Sequence, residues 1–281
     1  MVDEDFRSRP ARAAAERALV RVAHHYGAQP EFVVLGGLVP DLLCTQSGFI
    51  HAGTTDVDVQ VDLEIACGAV NTIRLEQALR NAEFAPDSER VWRWVAEHGP
   101  TRMVVKFELL ADLSDAPAAS TITFDGCQNL GAVNLRGTGF AARDVVVRRM
   151  TARIGGVQHT VEVKVTGLAG YLLAKTAAAH SRRKPKDWYD LAFVILHNDA
   201  GGPAAAARAV RARFDQELGG VRTALDDLGA NFAKPDAQGP RAYVAQMTID
   251  HPDLDPTMLA ADAVVAVEEF LRTLGAGSAL A

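Results

Sequence analysis

Along the first 165 residues the apolar positions switch repeatedly between helical and strand periods. The Ala-rich stretch Pro10–Tyr26, with Leu19, Val20 and Val22 on one side, predicts a helix. Glu31-Phe32-Val33-Val34-Leu35 reads as a short buried strand, stopped by Gly36-Gly37. Leu38–Cys44 is expected to restart as a helix, with Pro40 tolerated in its first turn. Gln46–Thr55 is polar and Gly-punctuated, hence a loop. Thr55–Leu63 then alternates strictly, which is the period of a half-buried strand. Asn71–Phe84 predicts an amphipathic helix facing inward with Ile73, Leu75, Ala78 and Leu79. Strands Val91–Ala96 and Arg102–Leu110 flank the turn signal His98-Gly99-Pro100. From Thr121 to Val165 the pattern is of short β segments, clearest at Val145–Val147 and Val161–Val165.

After Gly167 the texture becomes helical, over Leu168–His180, Asp187–His197, Pro203–Leu218 and Met258–Leu274. The expected class is α/β, a mixed β-sheet flanked by helices over 1–165, followed by a helical half over 166–281.

Composition narrows the partners. The 281 residues are 48% hydrophobic and 23% charged, which fits a globular chain with a sizeable core. Lys and Arg total 29 against 35 acids, a formal charge of -6, so an all-round basic coat for nucleic acid is excluded while a local patch is not. No apolar run reaches the ~18 residues of a membrane span, and the early acids Asp3, Glu4 and Asp5 are unlike a signal peptide. Cys44, Cys67 and Cys127 lack CxxC spacing, so neither a disulfide framework nor a zinc site is expected. They read as small buried hydrophobes in a reducing cytoplasm.

The segment that bears on chemistry is Gly36-Gly37 followed by Thr54-Thr55-Asp56-Val57-Asp58-Val59. Residues two apart on a strand share a face, so Asp56 and Asp58 present parallel carboxylates while Val57 and Val59 anchor the other side. Two acids so close repel unless solvated or sharing a cation. A hard ion such as Mg²⁺ binds through carboxylates plus substrate phosphates. Glycines at a strand end let backbone N–H groups and a following helix N-terminus approach a phosphate. Glu108, flanked by Phe107 and Leu109 in a core-like strand, is the candidate third acid, with Asp112 as its substitute at the strand end.

The order strand-GG-helix, Asp-x-Asp strand, acid-bearing strand resembles the nucleotidyltransferase superfamily that includes DNA polymerase β. Eighteen residues separate Gly37 from Asp56, more than is usual there, so the intervening loop is extended. The segment Leu172–Leu191 holds Lys175, Arg182, Lys186, Asp187 and Asp190 in the order K…R…KDxxDL. It resembles the AbiEii/MenT toxin-type nucleotidyltransferases. Lys175 stands in a mostly apolar helix, where a cation needs an anion to meet, and Asp187 and Asp190 are neighbours on the next helix. These residues alone also suit an ion pair between Lys175 and Asp190, with Asp187 as an N-cap.

The resemblance implies a metal-dependent nucleotidyltransferase that moves an NMP from an NTP to a hydroxyl. Asp56 and Asp58 would hold Mg²⁺ or Mn²⁺, and Glu108 would assist. Gly36, Gly37, Thr55, Lys175, Asp187 and Asp190 would bind the nucleotide. The helical half would complete the nucleotide and acceptor site. The implied acceptor is RNA, plausibly the 3′ end of tRNA, and the implied partner is an antitoxin protein of a toxin–antitoxin pair. Arg182, Arg183 and Lys186, and the group Arg143, Arg148, Arg149 and Arg153, could steer a phosphate backbone; Trp188 or Tyr189 could stack on a base, with core packing the favoured reading for at least one of them. His24, His25, His51 and His180 show no metal-ligand spacing and are assigned nothing. A small-molecule acceptor on the same fold, or a degenerate NTP-binding or interaction module without transfer, are the alternatives.

Overall fold

The computed structural model describes residues 8–27, 30–61, 70–98 and 103–275. The expected turn at Gly99-Pro100, the strand ends at Leu63 and Arg102, and Cys67 lie outside these residues. The chain forms two compact units, Met1–Val39 with Gly53–Thr166, and Pro40–Ala52 with Gly167–Ala281.

The first unit opens with α1 (Arg9–Tyr26), whose N-terminal N–H of Ala11 is capped by the Ser8 side chain, and β1 (Phe32–Leu35). Gly36–Leu38 is a single 3-10 turn rather than the start of a long helix, and the short α2 (Pro40–Leu43) belongs to the second unit. Next come β2 (Asp56–Val61), α3 (Val70–Asn81), β3 (Ala85–Pro86), β4 (Arg93–His98) and β5 (Met103–Ala111). They are followed by β6 (Thr121–Thr123), β7 (Gly131–Asn134), α4 (Gly139–Arg143), β8 (Val145–Ile154) and β9 (Val157–Thr166). The described strands form one mixed nine-stranded sheet in the order β3-β4-β5-β2-β1-β9-β8, with β7 on the end of β5 and β6 on β7. The expected mixed sheet is present, and the two short segments foreseen at 145–165 are one long hairpin. Its tip is Gly155-Gly156, both at positive φ (58° and 84°), as a tight two-residue turn demands.

Strand alternation sorts the sheet into two faces. Val57, Val59, Val105, Phe107 and Leu109 are fully buried on one, where Phe32 and Phe84 each meet the Phe107 ring at 5.9 Å. The alanines of α1 (Ala11, Ala14, Ala15, Ala18) are buried too, and their small size lets the helix lie close against the strands. In α3, Leu75, Ala78 and Leu79 face inward as expected, but Ile73 is 44% exposed. It leaves the apolar stripe to lie over Gly126.

The second unit contains α5 (Leu168–Arg182), α6 (Pro185–His197), α7 (Pro203–Phe214), a 3-10 segment Asp215–Val221, α8 (Arg222–Asn231), α9 (Gln238–Asp250) and α10 (Pro256–Leu274). Every residue from Asp187 to Ile195 is buried, so α6 is the central helix and packs against α5, α9 and α10. The expectation missed α8 and α9. Gly229 inside one and Gly239-Pro240 at the start of the other break the pattern a sequence reading relies on.

His197 shares a 2.9 Å hydrogen bond with the Tyr243 hydroxyl, and burial, aided by His251, pushes its pKa down from 6.5 to about 4. The unfolded chain therefore binds this proton more readily than the fold does. Stability from this group is intact above about pH 6.5 and is lost as pH falls towards 4, by up to about 3 kcal/mol. Urea titrations across that window are expected to show a shallower acid slope in His197→Gln than in the wild type. Equal slopes would contradict the assignment.

Candidate active site

The sheet face opposite the Phe107 core carries the charge. Register aligns Leu35, Asp58, Glu108 and Arg93 across β1, β2, β5 and β4, and Asp56 stands beside Lys106 in the next row. Asp56 is 7% exposed and Asp58 is half-buried. Burial, then the charges of Asp58 and Glu108, raise the Asp56 carboxyl from 3.8 to about 7, against a weaker pull from Lys106 and Arg93. The Lys106 ammonium is 4.0 Å from Asp56, too long for a tight pair. Asp56, Asp58 and Glu108 thus share one face, and their mutual repulsion adds to the burial that favours a proton on Asp56.

The two glycines explain how the strand end closes on this pair. Gly36 has φ +76°, and a Cβ there would run into the Asp58 carboxylate. A Cβ at Gly37 would lie 2.9 Å from Thr54, whose hydroxyl accepts from the Asp56 N–H at 3.0 Å. Thr55 is buried, and its carbonyl accepts from the Lys106 N–H at 3.1 Å. Gly36→Ala would both strain the backbone and push Asp58 aside. The expected result is a destabilisation of about 1–2 kcal/mol, the cost of a left-handed backbone at a residue that carries a Cβ. Urea denaturation checks this; an unchanged midpoint would show that Gly36 does not need its positive φ.

Glu108 lies next to Asp58 in the register as foreseen, but it is held by Arg93 at 2.5 Å, a partner the sequence reading missed. Among the described residues no three of His, Cys, Asp and Glu gather as a metal-holding group. The donors that fit a divalent cation are thus the two carboxylates of Asp56 and Asp58, enough for an ion that takes its remaining ligands from phosphates and water. Asp112 has another task, since one of its oxygens accepts the N–H groups of Gly137 and Gly139, each at 2.9 Å.

In the second unit, Lys175, Asp187 and Asp190 do come together. The Lys175 ammonium is 2.7 Å from Asp190 and 3.1 Å from Asp187, with the three side chains 7%, 1% and 0% exposed. Burial lowers the pKa of such an ammonium, but Asp190 and Asp187 outweigh it and hold the group above its ordinary value. Arg182 reaches Asp187 at 2.9 Å. Asp187 is not an N-cap: that position is Lys184, and Asp187 lies inside the first turn of α6. The unforeseen member is His51, whose Nε2 is 2.9 Å from Asp190 and whose side chain is fully buried. No spacing rule marks it, because its partner is 139 residues away.

The core packing favoured for at least one of Trp188 and Tyr189 holds for both: they are 0% and 1% exposed, and Tyr189 packs on His51 and Tyr243. Arg182 is spent largely on Asp187, and Arg183 ends α5 in a left-handed conformation 3.4 Å from Asp227. The arginines of β8 (Arg148, Arg149, Arg153) and Arg143 are exposed along the edge strand, with Arg149 loosely paired to Glu162. Cys44 is a buried free thiol and Cys127 a half-buried one. No helix among the described residues is long and apolar enough to cross a membrane.

A family model described as "Nucleotidyl transferase AbiEii toxin, Type IV TA system" matches residues 133–270. The match includes Lys175, Asp187 and Asp190, and stops short of Gly36, Gly37, Asp56, Asp58 and Glu108. No curated protein and no solved structure matches the chain.

Proposed function

We propose, for a chain that belongs through residues 133–270 to the AbiEii family of nucleotidyl transferase toxins, that Asp56 and Asp58 are the carboxylates that serve transfer of an NMP from an NTP to an RNA hydroxyl. Membership of a toxin–antitoxin family implies an antitoxin and an NTP substrate. The observation that supports the rest is the Asp56/Asp58 pair on one face of β2, closed in by Gly36, where burial and the neighbouring acids push the Asp56 carboxyl up to about 7. Strongly perturbed groups of this kind cluster at functional sites.

A divalent cation, Mg²⁺ or Mn²⁺, held by Asp56 and Asp58 would supply charge neutralisation on the triphosphate. The chain's own residues do the rest. Gly36 and Gly37 keep side chains away from the place where phosphates approach Asp58, and Thr54 ties down the backbone of Asp56. Glu108, steadied by Arg93, is the adjacent acid for the acceptor hydroxyl. Within the second unit, Lys175, oriented by Asp187 and Asp190, has the part of a phosphate ligand that the family resemblance gives it. Positioning and charge account for most of the rate in such transfers. The exposed arginines on β8, at the edge of the same sheet, support RNA as the acceptor, since phosphate backbones are bound by surface cations.

The test uses each NTP labelled at the α-phosphate, incubated with the protein, Mg²⁺ and either total RNA or a small-metabolite extract. Label at RNA 3′ ends is the expected result. Label confined to the small-molecule fraction would favour the second acceptor class, for which the burial of Trp188 and Tyr189 and the pairing of Arg182 speak. Tight NTP binding with no label anywhere would favour a module that has lost transfer.

A further inference from the structure

The polypeptide between α2 and Ala52 has little regular structure, yet it is tied down at several points within the second unit. The Thr45 hydroxyl and the Gln46 N–H both donate to Asp199, at 2.7 and 2.8 Å. The His51 N–H donates to Asp41 at 3.1 Å, and the Ala52 N–H donates to the Tyr189 hydroxyl at 3.0 Å. The His51 ring stacks on Tyr189 at 4.9 Å and meets Phe193 edge-on at 5.1 Å. A polar ring enclosed this fully is costly unless its nitrogens are used. Facing a carboxylate, Nε2 carries its proton and donates to Asp190 Oδ1, while Asp190 Oδ2 meets Lys175.

Asp190 thus has one oxygen on the buried His51 ring and the other 2.7 Å from the Lys175 ammonium. Lys175 donates to Asp187 Oδ1 at 3.1 Å and is ion-paired with Asp190. Holding both carboxylates holds the place of the ammonium between them. Asp187 is held independently by Arg182, and Asp190 by His51. We propose that His51 is a positioning residue for Lys175, acting through Asp190 to hold the ammonium in place for a triphosphate. This inference rests on the reading of Lys175 as a phosphate ligand. It assigns a role to a histidine that the sequence pattern left without one.

The experiment measures binding of Mg²⁺-tripolyphosphate to the full chain by calorimetry, with melting recorded for each variant. His51→Phe keeps the stacking and removes the donor, and it is expected to bind about tenfold more weakly, the effect of losing one hydrogen bond to a charged group. His51→Gln restores a donor and is expected to return within about threefold of the wild type. The triple variant Lys175→Met, Asp187→Asn, Asp190→Asn, which leaves no buried charge unpaired, is expected to lose binding. Wild-type affinity in His51→Phe would overturn the inference alone. So would equal weakening in His51→Phe and His51→Gln, because the role would then be one of shape. Wild-type affinity in the triple variant, or no binding by the wild type, would overturn the reading of Lys175 and the inference with it.

Discussion

Lys175→Met is expected to destabilise the protein by about 3–5 kcal/mol, the usual consequence of removing one partner from a buried ion pair. Asp187 and Asp190 are essentially without exposure, and Lys175 is the cation between them. Arg182 and His51 would remain, each on one carboxylate, and neither replaces an ammonium that serves both. The charge-free triple variant should recover most of the loss, because burying polar amides costs far less than burying unpaired carboxylates. Urea denaturation followed by circular dichroism checks both. A loss under about 1 kcal/mol for Lys175→Met would place the network among surface-like ion pairs.

Asp56→Asn is expected to do the opposite to stability while abolishing transfer. The folded pKa of Asp56 is raised, so the fold binds this proton more tightly than the unfolded chain does. Its contribution is fully present below the ordinary 3.8 and is lost as pH rises through about 7. At pH 8, without divalent cations, the wild type carries this penalty, on the order of 3–4 kcal/mol. Asparagine removes the charge, so the variant should melt higher at pH 8 and the advantage should vanish by pH 4. Transfer should fall by about 10³-fold or more, since neutralising developing charge is commonly the largest catalytic contribution. Thermal melts at the two pH values, run with EDTA, decide the matter. A variant no more stable than the wild type at pH 8 would contradict the burial and repulsion described for this face.

Local pattern made much of this legible. Alternation in Asp56–Val61 gives both the strand and the shared face of its two acids, and it gives the opposite face of Val57 and Val59 in the core. The K…R…KDxxDL spacing foretells the contact of Lys175 with Asp190, while its second contact, with Asp187, emerges only from the packing of α5 on α6. What stayed hidden depends on pairing across long sequence distances. Arg93 meets Glu108 only because β4 and β5 align, and His51 meets Asp190 only through the fold of the second unit. Burial was also misjudged at Ile73, and was foreseen for only one of Trp188 and Tyr189 where both are buried. An aromatic beside basic residues looks available for stacking until the central position of α6 is known.

The proposed holding of a divalent cation by Asp56 and Asp58 for nucleotidyl transfer is tested most directly by the rate of α-phosphate label transfer from NTP. The wild type and Asp58→Ala are compared across a Mg²⁺ titration that starts from EDTA. Transfer is expected to require the cation in the wild type and to fall by about 10³-fold or more in the variant at every Mg²⁺ concentration. Equal labelling by the two proteins, or full wild-type transfer in EDTA, would contradict it.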